Sequence, residues 1–131
     1  MKNLIRAAIE ARKSAYCPYS EFSVGAALLT LDGKIYTGCN VESAAYSATI
    51  CAERTALCKA VSDGARSFAA IAIAGGGTDV ISTYCAPCGV CRQMLFEFGE
   101  MRVILAKSED DYVEMSISEL LPKGFGADSL K

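Results

Sequence analysis

A chain of 131 residues, 52% hydrophobic and 21% charged, has the apolar content of one soluble globular domain, expected to span residues 1–131. No apolar run approaches the ~18 residues of a membrane span, and the opening MKNLIRAAIEARK mixes acidic with basic residues, unlike a secretory leader. We therefore expect a cytoplasmic protein, and the net charge of -2 points to a small ligand, not to nucleic acid or a membrane surface.

Residues 1–16 read as a helix, with Leu4, Ile5, Ala8 and Ile9 forming an apolar stripe and Pro18 barring its continuation. Residues 22–30 read as a strand. Asp32-Gly33 marks a hairpin turn, and residues 34–42 form the return strand. Residues 50–61 read as a helix burying Ala52, Ala56, Leu57 and Ala60. The continuous apolar run 68–74 predicts a central strand covered on both faces. A loop opening Gly-Gly-Gly-Thr-Asp follows over 75–87. Pro87 starts the next helix and Gly99 ends it. Residues 102–106 and 112–115 are strands, and the five residues between them force an antiparallel pair. Ser116 and Glu119 are spaced as a capping box for a short helix that Pro122 stops. The α-β-β-α-β-α-β-β-α order implies an α/β fold, a mixed five-stranded sheet sandwiched between helices, with the site at strand C-termini and helix N-termini.

Seven cysteines are present and no histidine. The odd count has no disulfide-like spacing, and clustered cysteines in such a chain point to metal. Without imidazole, acid–base work near neutral pH falls to a tuned carboxylate, Lys, Tyr, Cys or metal-bound water. Two segments stand out: Cys51-Ala52-Glu53 and Pro87-Cys88-Gly89-Val90-Cys91, each opening a predicted helix. Cys88 and Cys91 lie one turn apart, and Cys51 supplies a third thiolate. Three ligands leave a fourth tetrahedral position for water, as in a catalytic zinc site. Glu53 lies ~200° around the helix from Cys51, yet both can flank a group beyond the helix N-terminus. Three thiolates overcompensate one Zn²⁺, and Arg54 can offset the excess by donating to the sulfurs.

Other readings of these residues remain at this point. A lone Cys-x-x-Cys also suits a redox pair or a structural zinc in an interaction module. Cys85, Cys88 and Cys91 together resemble part of an iron–sulfur motif, although its usual fourth cysteine and proline are missing. Cys17, Cys39 and Cys58 are expected to be small buried apolar residues. Taken alone, Asn40 and Glu42 read as a polar strand end, and Phe22 and Phe125 as core packing.

The chain resembles the small cytidine deaminases of pyrimidine salvage over nearly its whole length. The segments that carry the resemblance are Tyr16-Cys17-Pro18-Tyr19-Ser20-Glu21-Phe22, Val24-Gly25-Ala26-Ala27-Leu28, Gly38-Cys39-Asn40-Val41-Glu42, Cys51-Ala52-Glu53-Arg54, Pro87-Cys88-Gly89-Val90-Cys91-Arg92-Gln93 and Glu119-Leu120-Leu121-Pro122. The resemblance implies hydrolysis of cytidine and 2'-deoxycytidine to the uracil nucleosides and ammonia. It implies one Zn²⁺ per subunit on Cys51, Cys88 and Cys91, with Glu53 shuttling protons as activated water attacks C4. It places Asn40 and Glu42 at the ribose, and Phe22, Tyr46 and Ala52 beside the nucleoside. It also implies a homotetramer in which Phe125 enters a neighbour's site. The family usually has Ser where Ala86 stands.

Overall fold

The structure, a computed structural model, describes residues 1–77 and 80–131. Thr78 and Asp79, part of the loop expected after the third strand, lie outside the described residues. The first apolar stripe forms helix α1 (Lys2–Ala11), which buries Leu4, Ile5 and Ala8. It stops short of residue 16: Arg12–Ser14 tighten into a 3-10 turn and Ala15 is already extended. The chain thus leaves the helix before Pro18, whose ring disfavours helical geometry in the residue preceding it.

Strand β1 (Ser23–Thr30) turns through Asp32-Gly33 into strand β2 (Ile35–Cys39). The return strand ends three residues earlier than expected. At Asn40 the side chain itself bonds β1, accepting from the Val24 N–H at 2.9 Å and donating to the Phe22 carbonyl at 2.8 Å. Val41 then pairs only through isolated bridges to Tyr16 and Ile50. Helix α2 (Ala52–Ser62) buries Ala52, Ala56, Leu57 and Ala60 as expected, and Glu53 with them.

Strand β3 (Phe68–Gly76) is buried along almost its whole length. It runs two residues beyond the apolar stretch because Gly75 and Gly76 still pair with Val24 and Ser23 of β1. Helix α3 (Gly89–Phe96), strands β4 (Arg102–Ala106) and β5 (Tyr112–Ser116), and helix α4 (Ile117–Leu120) follow. The capping box of α4 is formed: Ser116 Oγ accepts from the Glu119 N–H and Glu119 accepts from the Ser116 N–H. Two 3-10 turns, Tyr46–Ala48 and Ala127–Leu130, were not expected from periodicity.

The sheet order is β2-β1-β3-β4-β5, and it is mixed: β3 and β4 are parallel, joined across α3, while the other pairs are antiparallel. One core cluster packs α1 on one face through Ala27, Ala70, Ala72 and Ile104. The other face carries α2, α3 and α4 over Leu28, Ile71, Ile73 and Val103. Among the described residues no helix is long and apolar enough to cross a membrane.

Candidate active site and metal centre

Two helices of the same sheet face bring their N-termini together. Cys51 is the N-cap of α2 and Cys88 the N-cap of α3, both with extended backbone, and Cys91 lies in the first turn of α3. The free N–H groups and dipole at each N-terminus favour negative sulfur. The three sulfurs lie within 4.8 Å of one another. Sulfurs ~2.3 Å from a shared tetrahedral ion stand about 3.8 Å apart; the Cys51 and Cys88 sulfurs are 3.6 Å apart. Spacing and donor chemistry therefore both fit zinc. Cys91 is buried, Cys51 half-buried and Cys88 exposed, so the cluster is open on the Cys88 side.

Charge in the cluster is shared. The Cys51 thiol is brought down to about 5, chiefly by the hydrogen bond from Cys91, with Arg54 and Cys88 adding. Cys91 is raised because it donates to Cys51, and burial pushes it the same way. Arg54 Nη2 lies 3.4 Å from the Cys51 sulfur and 3.5 Å from the Thr49 carbonyl. The adjacent thiolate holds Arg54 more firmly protonated.

Glu53 is the second residue of α2, in its first turn, and is 3% exposed. Burial raises its carboxyl to about 7, and negative Cys51 adds to the rise. A carboxyl poised there can exchange a proton in either direction at neutral pH.

Cys85 stands apart from the trio. Its sulfur, with Val24 and the Phe22 ring, closes on Gly75, where a Cβ would lie 2.9 Å from Cys85 Sγ and 3.1 Å from the ring. Burial pushes the Cys85 thiol up to about 11, with the charges of Glu53 and Cys51 contributing. A neutral thiol at that place is a packing group. Cys17 and Cys39 are half-buried, whereas Cys58 is exposed, contrary to expectation. The reason is helical phase: α2 buries Ala56, Leu57 and Ala60, and Cys58 falls ~100° beyond Leu57, off that face.

The residues expected to contact the nucleoside, here called the rim, lie just before β1, after β2 and at the start of α2. The Phe22 ring is 37% exposed beside Gly75. Ala52 is fully buried under the cluster. Asn40 is buried and engaged with the backbone of Phe22 and Val24. Glu42 accepts from the Tyr19 and Ser20 N–H groups at 3.0 and 3.1 Å and from the Ser20 hydroxyl, which holds its carboxyl below the ordinary range. Glu42, Ser43, Tyr46 and Thr49, with Tyr19 and Ser20, line a cleft of about 360 Å³. Tyr46 packs edge-on against Tyr19, with 6.1 Å between ring centroids. Tyr19, Ser20 and Thr49 were not singled out from the sequence; the Tyr-Ser pair before Phe22 was the available signal. Phe125 is separate from this rim and 59% exposed, and Gln93 of α3 donates to its carbonyl.

Residues 1–107 match the family described as the cytidine and deoxycytidylate deaminase zinc-binding region. The chain is 49% identical over 132 residues to a cytidine deaminase of Sporosarcina psychrophila, covering 99% of this chain and 94% of that one. It is 45% identical to a probable cytidine deaminase of Dictyostelium discoideum, covering 99% and 86%. The crystal structure of cytidine deaminase from Burkholderia pseudomallei superposes with a TM-score of 0.86 at 48% identity, covering 94% and 97%. With a three-cysteine cluster at two helix N-termini and a buried glutamate beside it, the chain belongs to the cytidine deaminases, a family of zinc-dependent enzymes.

Proposed function

We propose that the chain hydrolyses cytidine and 2'-deoxycytidine to uridine and 2'-deoxyuridine, releasing ammonia. The observation that carries this reading is Glu53, buried and within hydrogen-bond reach of Cys91 in the Cys51, Cys88 and Cys91 cluster. The three cysteines would hold one zinc per subunit, which would supply an activated water. Glu53 would take a proton from the attacking water and deliver it to N3 of the cytosine ring. As the water oxygen bonds C4, Glu53 would carry that oxygen's remaining proton to the amino group while the C4–N bond breaks and the C4 carbonyl forms. Water and cytidine thus become uridine and ammonia, with one carboxyl acting as base and then as acid. Arg54 and the two helix N-termini offset the negative charge of the sulfurs.

Phe22 and Tyr46 supply apolar faces for the nucleoside, and Ala52 floors the site. Glu42 and Asn40 face the ribose hydroxyls with the hydrogen-bonding capacity left over from their backbone partners. Phe125 projects from the subunit with its ring largely exposed, which supports its completing a neighbour's site in a homotetramer. A cytoplasmic setting suits the seven free thiols.

Purified zinc-loaded protein mixed with cytidine tests the reading. Loss of the cytosine absorbance with one ammonia per nucleoside is the expected result. Zinc-loaded protein that leaves both nucleosides intact would instead make the cysteines a structural zinc site in an interaction module.

A further inference from the structure

Arg12 lies outside the metal centre and the nucleoside rim, yet it reaches the backbone beneath both. Its Nε donates to the Ser23 carbonyl at 3.1 Å. Its Nη2 donates to the Gly77 carbonyl at 2.8 Å and the Gly76 carbonyl at 3.3 Å. One guanidinium thus joins the first residue of β1 to the last residue of β3 and the glycine that follows it, at the final rung of their ladder, Ser23 to Gly76. We infer that Arg12 is a positioning residue for the nucleoside pocket, holding Phe22 through the β1–β3 end. The inference rests on the reading of Phe22 as a nucleoside contact.

The need for such a clamp follows from the local sequence. Three consecutive glycines leave the end of β3 without side chains to pack and with the largest backbone entropy to lose. On the β1 side, Glu21 has a left-handed backbone, φ 55°, an unfavourable conformation for a residue with a Cβ that persists only where its surroundings hold it. Phe22 sits between that residue and Ser23. Its carbonyl is held by Asn40 and its ring lies on Gly75. Releasing Ser23 from Arg12 lets Glu21 relax and lets Phe22 and Gly75 part.

The clamp itself is fixed from behind. α1 lies directly on β1 at Gly25, where a Cβ would stand 2.0 Å from the Ala8 carbonyl oxygen and 2.6 Å from the Arg12 nitrogen. The backbone of Arg12 is thereby pinned against the sheet. A planar fork with five donors can serve three carbonyls at once; a lysine ammonium of the same charge cannot match that geometry.

None of these contacts involves Cys51, Glu53, Cys88 or Cys91. Loss of the clamp should therefore weaken nucleoside binding and leave the chemical step nearly intact. In the zinc-loaded enzyme, Arg12→Gln is expected to raise KM for cytidine about tenfold while kcat changes less than about threefold. Zinc content should be unchanged. Arg12→Lys should fall between parent and Arg12→Gln, and added guanidinium chloride at low millimolar concentration should lower the KM of Arg12→Ala. Hydrogen exchange gives an independent reading, with the amides of Ser23, Val24, Gly75 and Gly76 exchanging faster in Arg12→Gln than in the parent. Unchanged KM would overturn the inference. So would a parallel loss of kcat, zinc and thermal stability in both Arg12→Lys and Arg12→Gln, which would mark Arg12 as a general fold contact. If the parent does not act on cytidine, the functional reading fails; faster exchange confined to those amides would then still support the clamp, and unaltered exchange would overturn it.

Discussion

The metal end and the aromatic rim lie a few residues apart and are built in opposite ways. At the metal end Cys91 and Glu53 are buried, and Cys51, Glu53, Cys88 and Cys91 all come from two helix N-termini of one chain. At the rim, Tyr46 is 75% exposed, as Phe125 is to 59% elsewhere on the chain, and the polar residues Asn40 and Glu42 spend much of their bonding on local backbone. Bond-making groups need fixed geometry and low dielectric, which a single folded chain can supply. Exposed aromatics on a soluble chain mark a surface still to be covered, by ligand or by another subunit. We therefore read the chemistry as complete within one chain and nucleoside binding as completed from outside it.

The sharpest break is at the sulfurs. Cys51→Ala, Cys88→Ala and Cys91→Ala should each lose zinc and detectable turnover, whereas Cys85→Ala should keep its zinc, because Cys85 packs on Gly75 away from the trio. Metal analysis of the four purified variants checks this, and zinc retained in Cys88→Ala but lost in Cys85→Ala would mean a different ligand set. Next comes Glu53→Gln. The amide keeps the shape but moves no proton, so kcat should fall by about 10²–10⁴-fold or more with zinc bound. Near-normal turnover would remove Glu53 from the chemistry.

Arg54→Gln should have a smaller effect. It removes a donor to Cys51 and leaves all three sulfurs in place, so turnover should drop about tenfold with zinc content unchanged. A variant that empties of zinc would make Arg54 part of the metal hold itself. The smallest effect is expected at Glu100, which belongs to neither the metal cluster nor the cleft at Glu42 and Tyr46. Hydrogen bonds from Ser118, and from the backbone N–H groups of Ser118 and Ile117, hold its carboxyl below the ordinary value. A lowered folded-state pKa adds stability above the unfolded value, and that stability is lost as pH falls through the folded one. Glu100→Gln should lower the Tm by a few degrees at pH 7, and the gap should close in acid. A gap that stays constant with pH would show that the charge contributes nothing.

Much of this could be read from residue order because local rules and long-range packing agree. The apolar run at 68–74 became the buried β3, and Ser116 with Glu119 became a formed cap. Cys51, Cys88 and Cys91 were legible because N-cap positions and one-turn spacing dictate where those sulfurs point. Boundaries were less legible where side-chain bonds mix with main-chain pairing, as at Asn40 beyond the end of β2. The exposure of Cys58 was missed although the phase of α2 contains it. The Arg12 clamp could not be read at all, since its partners are carbonyls 11 to 65 residues away and any residue type offers a carbonyl.

The contrast between a self-contained metal end and a shared rim is tested most directly by mixing two impaired variants. Glu53→Gln lacks the proton carrier, and Phe125→Ala lacks the exposed ring and should raise KM about tenfold. The two are dissociated, combined and reassembled, and cytidine turnover is measured at subsaturating substrate. Sites that take Glu53 from one chain and Phe125 from another should restore activity above the mean of the separate variants. If subunit exchange is verified by mass and turnover stays at that mean, each chain uses its own Phe125, and the rim is no more shared than the metal centre.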